Sequence, residues 1–535
     1  MAAQVSRLAP LATVLRPPPD DEVLTPDQWT TLLAIADTVI PSIRPTTHAS
    51  PSELAPLYLP PAEYSSVLTS LRSSVTNPPP DNVLEDFLLA SPSTSPTFRQ
   101  EFQRTLALHI RDDARKGIAL IITTLNTRFG SLVFNGTTVP FHLHPFPVRT
   151  ALLASWTASY LPPLRVVSSA LIKLIKSTYS RTSPHISPLL SFPAAPVHGQ
   201  PGKGYDFSFL TPPPTSHPSL SPYPPPSPST PWTLETDVVI VGSGCGAGVA
   251  AKNLSAAGHR VLVLEKAYHH APEHLPMTEL AASQHLYHNG GLVSNDDSSM
   301  TVIAGENFGG GGTINWSASL QPQAEVRQEW ASQGLDFFTS AEFQACLDRV
   351  CERMGVGDKQ IEHNFANRVL LEGSRRLGYT AKAVPQNTGG KRHYCGHCSL
   401  GCGSCEKQGP VVSWLPDAME HGAKAMQGME VERVIFEQGK HRGGKVAVGV
   451  KGTWTSRDGK EKREVIVKAK RVVLSAGSLF SPLVLLRSGL TNPNIGRHLH
   501  LHPVSWIFGV WPEEIRPWEG ISFDSSLEIV IVQTS

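Results

Sequence analysis

The stretch TDVVIVGSGCGAGVAAKNLSAAGHRVLVLEK, residues 236–266, constrains this chain more tightly than any other segment. Residues 237–241 form a short apolar run, read as a buried strand. Gly242, Gly244 and Ala247 follow in the spacing G-x-G-x-x-A, interleaved with Ser243 and Gly246, and open a helix that Gly258 ends. Residues 260–264 read as a second strand, leading to Glu265, 23 positions after Gly242. Each part has a task in holding a dinucleotide. Gly242 makes the tight turn, Gly244 lets the backbone approach a pyrophosphate, and the small Ala247 lets helix and strand pack closely. The helix N-terminus offers free N–H groups to the phosphates. Glu265 is placed to accept hydrogen bonds from the adenosine ribose, and it would repel the extra phosphate of NADP. FAD and NAD remain. A glycine-rich turn in an unrelated α/β unit would not require all five parts in this order.

Two later segments bear on that choice. In GENFGGGGTINWSAS, Gly309, Gly310, Gly311 and Gly312 are consecutive, followed by Thr313 and Asn315. Such a run lets the main chain lie flat against a large planar or charged ligand. In RVVLSAGSLFSPLVLLRSGL, a strand over 471–474 ends at Ala476 and Gly477, with a helix from about Ser481. That is a second close backbone approach at the carboxyl end of a strand, where such sheets bind ligands.

The rest of the chain frames this unit. A helical region is expected over 1–195, a Pro/Ser-rich linker over 196–233, and the nucleotide-binding domain over 234–535. In LTPDQWTTLLAIADTVIP, Thr25 caps, Pro26 takes the first helical position and Gln28 completes a capping box. Trp29, Leu32, Leu33, Ala36 and Val39 then recur at helical spacing until Pro41 stops the run. Further helical patterns cover about 96–127 and 149–179, and the charge run over 111–116 reads as a solvated helix face. Residues 211–231 hold ten prolines among 21 positions, which cannot build a hydrogen-bonded core and read as an extended spacer.

Composition excludes several classes. A formal net charge of +1 gives no electrostatic reason to expect nucleic acid. The N-terminus lacks the apolar core of a secretory signal, and no apolar run is long enough to span a bilayer. Seven cysteines, four of them clustered, do not suit a secreted disulfide framework, so an intracellular protein with reduced thiols is expected. Peripheral attachment to a membrane stays open.

These motifs resemble the glucose–methanol–choline (GMC) oxidoreductases. The two signature regions of that family look like residues 305–315 and 477–490, with Thr491 where a glycine usually follows SGL. Within the family the chain is most similar to the fungal and plant long-chain fatty alcohol oxidases. They share a helical extension, a cysteine segment of the form C-G-x-C-x-x-G-C followed by K-Q, and a phrase resembling NPNIGRHLHLHPV. The resemblance covers about residues 25–525. It implies an α/β fold with a Rossmann-like FAD-binding domain, FAD as cofactor, and Val431 as a further adenine contact. It also implies microsomal or peroxisomal membrane association.

Cys395, Cys398, Cys402 and Cys405 invite a metal reading through their paired C-x-x-C spacings. Three residues between the pairs make it hard for both to wrap one tetrahedral ion, and the spacing is not that of bacterial ferredoxins. Structural thiols are the expectation, with a metal cluster and redox-active thiols as alternatives. His498, His500 and His502 alternate and would share one face of a strand, a pattern open to zinc or copper, but the resembled family places them in an ordinary structural phrase.

The resemblance implies oxidation of long-chain primary alcohols by FAD to aldehydes, with O2 reduced to hydrogen peroxide. The alternatives are another GMC oxidase or dehydrogenase, whose chains begin near the glycine motif without about 235 preceding residues, and an inactive flavoprotein fragment. In the family the proton acceptor is one of a C-terminal histidine pair near H-x-x-G-T. No such segment occurs in this sequence, so no catalytic residue is assigned and the resemblance implies a C-terminally truncated chain. His500 and His502 are the nearest available bases.

Overall fold

A computed structural model describes residues 23–48, 56–75, 77–160, 162–193, 201–213, 231–291, 293–295, 299–439 and 444–502, with scattered positions to 528. Most of the proline spacer and the C-terminal IVIVQTS run lie outside the described residues.

The first helix spans Pro26–Val39, and its capping box is formed: Thr25 Oγ1 accepts from Gln28 N at 3.3 Å, and Gln28 Oε1 accepts from Thr25 N at 2.9 Å. Its apolar face buries Trp29, Leu32, Ile35 and Ala36 against Phe98, Phe102, Ile122, Trp156 and Ile175. Aromatic and aliphatic burial of this kind drives the helical layer together. The two further helical patterns each comprise two helices. Residues 96–127 split into Pro96–Leu108 and Asp112–Leu125, and the charge run starts the second piece, where Asp112 and Asp113 suit the positive end of a helix dipole. Residues 149–179 split into Phe146–Thr157 and Pro162–Thr182, because Pro162 and Pro163 lack the N–H groups to continue one helix but fit the start of another. Among the described residues no single helix is long and apolar enough to cross a membrane.

The second layer is a six-stranded sheet. Its strands are β1 (Trp232–Val241), β2 (Val261–Leu264), β3 (Lys424–Met426), β4 (Met429–Gln438), β5 (Lys445–Thr455) and β6 (Lys462–Leu474), in the spatial order β3-β2-β1-β6-β5-β4. The first four in that order run parallel, and β5 and β4 join antiparallel. The chain leaves β1, forms the helix Cys245–Ala256 and returns as β2, a crossover that needs a helix because the strands are parallel. Alternation sorts the side chains: Val239, Val241, Leu262 and Leu264 face a core with Val450 and Val467, while Val238, Ile240, Val261 and Val263 face Ala247, Ala251 and Leu415. Gly248 admits the neighbouring helix Trp414–Glu420, for a Cβ there would lie 3.1 Å from Trp414 Cβ.

Three expectations are corrected here. The strands begin earlier than the apolar runs, since β1 starts at Trp232 and β6 at Lys462, and the helix after Gly477 begins at Gly477 itself, with Pro482 in its first turns. The linker over 196–233 is not a free spacer in its described first part. Leu210 N donates to Ala425 O at 2.8 Å, Gly202 N donates to Gly403 O at 2.8 Å, and Phe207 packs on Phe308 at 5.1 Å between ring centroids. Finally, His498, His500 and His502 lie on no strand. His498 has φ +58° and Gly496 φ +77°, so the backbone turns where an extended strand was expected, and all three histidines are exposed.

The N-terminal helices meet the helical segment over 279–291 through polar contacts. Gln284 Nε2 donates to Glu101 Oε2 at 2.7 Å, and an Arg181 guanidinium N–H donates to Gly290 O at 3.0 Å.

Candidate functional site

Three chain turns converge at the carboxyl ends of β1, β2 and β6. Val241 and Leu474 are direct neighbours in the parallel ladder, so the turns that follow them lie side by side. Gly242 N donates to Leu264 O at 2.7 Å, and Ser475 N donates to Val241 O at 2.8 Å. Gly242 has φ +99°, and a Cβ on it would sit 2.3 Å from Ser475 O. Only glycine fits. Gly246 and Ala247 follow in the first turn of the helix, with Ala247 fully buried and a Cβ on Gly246 reaching 3.3 Å from Ser475 Oγ.

The consecutive glycines over 309–312 close on this turn from the other side. A Cβ on Gly310, which has φ +55°, would lie 3.1 Å from Gly244 Cα, so the two glycine loops touch backbone to backbone. Gly309, at φ +109°, would meet Thr313 Oγ1 at 2.5 Å, and Gly312 would meet Pro410 at 2.2 Å. These positions are glycine because protein atoms press on them. Gly244, Gly311 and Gly477 differ, since a Cβ there would meet nothing within 4 Å. They border open space.

Glu265 joins the two loops. Its Oε2 accepts from Ser243 N at 3.0 Å and from Ser243 Oγ at 2.7 Å, and its Oε1 accepts from Ala267 N at 3.0 Å. Ser243 Oγ in turn accepts from Gly309 N at 2.9 Å. Burial pushes the Glu265 carboxyl up from its ordinary range, and the donors from Ser243 and Ala267 pull it back. A carboxylate has about four acceptor positions, and three are used. Its first role in the structure is therefore to tie Ser243, and through it Gly309, to the end of β2. One acceptor position is left.

Thr313 and Ile314 are buried in the short helix Gly311–Ile314, and Asn315 is exposed at its end, its Oδ1 accepting from Ser317 N at 3.1 Å. Ala476 caps the helix Gly477–Arg487, and Gly477 has φ +80°. Val431 packs into the core with Leu264, Met426 and Met429, and Met429 N donates to Glu265 O at 2.8 Å, so it lies at the same end of the sheet.

Two groups at this site escaped the sequence reading. Glu306, inside GENFGGGG, accepts from Lys266 Nζ at 2.9 Å and pairs with His288 Nδ1 at 2.5 Å, while the Lys266 ammonium stands 3.8 Å over the Phe480 ring. Burial alone would raise the Glu306 carboxyl, but His288 and Lys266 outweigh it and hold the group at about 2. A carboxylate depressed in this way stabilises the fold above its unfolded value, about 4.3, and that contribution is lost as pH falls toward the folded value. Its side chain is 35% exposed, so screening leaves about 1 kcal/mol. An acid titration between about pH 4.5 and 2 should show this loss in the wild-type chain. Glu306→Gln should be less stable at neutral pH and should flatten that part of the curve. The second group is Lys407. Its ammonium is buried and donates to Thr313 O at 2.8 Å, Asn315 O at 2.7 Å and Cys398 O at 3.1 Å.

The cysteine segment is thus the packing partner of the glycine loop. Met277 N donates to Leu400 O at 2.9 Å, and a Cβ on Gly403 would lie 2.1 Å from Leu275 O. All seven thiols are free, and burial pushes Cys398 up to about 12 and Cys405 up to about 11. Both are neutral thiols at pH 7. Among the described residues no three histidine, cysteine or carboxylate groups are placed to hold a metal ion.

Against known proteins, residues 283–504 match the sequence profile of the family described as GMC oxidoreductase. The chain is 39% identical over 300 residues to Long-chain-alcohol oxidase FAO4B of Arabidopsis thaliana, covering 55% of this chain and 40% of that one. It is 40% identical over 312 residues to Long-chain-alcohol oxidase FAO4A of the same plant, covering 56% and 42%. The chain therefore spans less than half the length of these curated relatives. Among solved structures, a formate oxidase of Aspergillus oryzae studied for its FAD modification is similar over 49% of this chain and 48% of its own, at 14% identity and a TM-score of 0.35. The glycine positions that border open space beside a helix N-terminus fit a cofactor whose pyrophosphate must approach bare backbone. Residues 283–504 thus resemble a GMC oxidoreductase domain, and the open glycine positions are compatible with a dinucleotide cofactor.

Proposed function

We propose that this chain binds FAD in a Rossmann-like domain at the crevice between the Gly242–Gly244 turn and the Gly309–Gly312 loop, and that it belongs to an oxidase of long-chain primary alcohols. The carrying observation is the backbone contact of Gly310 on Gly244 with open space at Gly244, Gly311 and Gly477. Two loops from distant parts of the sequence meet without side chains and leave room where a pyrophosphate and a ring system need it. The alcohol class is supported by identity of 39–40% to the two plant long-chain-alcohol oxidases.

In that reading Gly244 and the first N–H groups of the helix Cys245–Ala256 hold the pyrophosphate, and Glu265 takes a ribose hydroxyl with its remaining acceptor position. Ala476 and Gly477 bound the opposite wall, and the 311–315 turn carries Thr313 and Asn315. FAD supplies the acceptor for a hydride from the alcohol carbon, with O2 restoring it and giving hydrogen peroxide. The alcohol also needs a proton acceptor, worth about 10²–10⁴-fold in rate, and that role is not assigned to a residue of this chain. His500 and His502 are exposed, with no hydrogen bond among the described residues. Attachment to an intracellular membrane surface belongs to the same proposal and follows from the resemblance alone.

The test is anaerobic. The chain, reconstituted with FAD, is mixed with dodecanol, choline or glucose, and the flavin absorbance is followed before air is admitted and peroxide measured. Bleaching by dodecanol in preference to the others supports the long-chain class. Bleaching by choline or glucose alone would move the chain to another GMC chemistry, and retention of FAD with no bleaching by any alcohol would leave a flavin-binding protein without oxidase activity.

A further inference from the structure

Lys407 is the feature that the FAD reading leaves unexplained. Its side chain is buried, and no described carboxylate bonds it. A buried ammonium without a counter-ion costs several kcal/mol unless its protons are met by good acceptors. Here three carbonyl oxygens meet them, and two of the three, Thr313 O and Asn315 O, belong to the turn that follows the glycine loop. The surrounding groups do not neutralise the charge. Cys395, Cys398 and Cys402 lie around it, and burial raises Cys395 and Cys398, so those two remain thiols. Burial also pushes Lys407 down from its ordinary value, but its three carbonyl acceptors call for three N–H donors, which only the ammonium supplies. Cys245, at the start of the glycine-motif helix, is raised as well. The third acceptor, Cys398 O, anchors the ammonium to the cysteine segment, which Gly403 and Leu400 pack against Leu275 and Met277.

We infer that Lys407 is a positioning residue of the flavin site: its ammonium pins the Gly311–Asn315 turn to the cysteine segment and places one uncompensated positive charge beneath the turn. This rests on the FAD reading above. Two consequences follow. The turn keeps the shape that brings Gly310 onto Gly244, so FAD meets a preformed crevice and pays no ordering cost. The positive charge also favours negative charge on the cofactor side of the turn, which stabilises reduced, anionic flavin over oxidised, neutral flavin. Three of the four clustered cysteines, Cys395, Cys398 and Cys402, then have a non-metal role, as compact packing around a charge that a carboxylate would cancel.

The experiment compares wild type, Lys407→Met and Lys407→Gln in the full chain. The readouts are FAD affinity by fluorescence titration, midpoint potential of the bound flavin, and melting temperature without FAD. The expected result is FAD affinity weaker by about tenfold or more, from the loss of charge-assisted bonds, and a lower midpoint potential in the flavin that still binds. Lys407→Gln keeps amide donors and loses the charge, so it should recover part of the affinity while its potential stays low. If both variants melt like the wild type, bind FAD equally and keep its potential, the inference is wrong. If they melt lower in the absence of FAD but those that fold keep wild-type affinity and potential, Lys407 is only a structural residue and the inference is again overturned. If neither variant folds, Cys398→Asp, which puts a carboxylate beside the ammonium without removing it, should lower the potential by cancelling the charge; an unchanged potential there overturns the inference. Failure of the wild-type chain itself to bind FAD would instead overturn the cofactor reading.

Discussion

Gly244→Val should yield a folded chain that carries no flavin. Gly244 has φ −67° and ψ −171°, a conformation open to any residue, and a Cβ there meets nothing within 4 Å. The β-branched side chain therefore costs the protein itself little, within the ±0.5 kcal/mol usual for a surface change. Its methyl groups project into the space that a pyrophosphate must enter to reach the helix N–H groups, and a loop built for bare backbone cannot retreat, since Gly310 stands on its other side. Loss of the phosphate contacts and steric exclusion act together, so affinity should fall by at least about a hundredfold, or about 2.7 kcal/mol. The measurement is flavin absorbance of the purified variant after dialysis against FAD, beside its circular dichroism and unfolding midpoint. A variant with wild-type midpoint and wild-type yellow colour would show that FAD does not approach Gly244.

Much of this site was legible in the sequence because its parts are local. The strand, the glycines, the helix and Glu265 lie within about thirty residues, and each is dictated by backbone freedom or by the need for an acceptor at a fixed offset. The first helix was legible for the same reason, since Thr25, Pro26 and Gln28 form a self-contained start signal and Pro41 a stop. The helical patterns over 96–127 and 149–179 were legible too, but apolar periodicity continues across the breaks inside them and does not report a change of axis.

What stayed hidden depends on long-range contact. Nothing in CEKQGP says that Lys407 ends under a turn more than ninety residues earlier, although a lysine beside a cluster of cysteines and glycines was a visible oddity. Glu306 reads as one more residue of a glycine-rich loop until His288 and Lys266 are brought to it. The histidines over 498–502 misled for a related reason. Alternation implies one face only on an extended strand, and the positive φ values at Gly496 and His498 break that premise.

Gly242→Ala should fail in the opposite way to Gly244→Val, by damaging the fold before any cofactor is added. Gly242 has φ +99°, outside the regions that an L-residue accepts without strain, which costs about 1–3 kcal/mol. The new Cβ would also stand 2.3 Å from Ser475 O, 2.9 Å from Ser475 C and 3.2 Å from Ala476 Cα. All three are main-chain atoms at the end of β6, so no side chain can swing aside. To relieve the contact, the turns after β1 and β6 must separate, which strains the hydrogen bonds from Gly242 N to Leu264 O and from Ser475 N to Val241 O. Each is a buried bond worth about 1 kcal/mol, so the total reaches about 3–5 kcal/mol, a large share of the 5–15 kcal/mol that typical domains possess. Proteolysis in increasing urea, without FAD, should show the sheet region of Gly242→Ala opening at a clearly lower midpoint, while Gly244→Val tracks the wild type. Equal midpoints for all three chains would mean that β1 and β6 do not end side by side. A shared loss of flavin with separate effects on stability would instead assign Gly242 to the turn and Gly244 to the ligand.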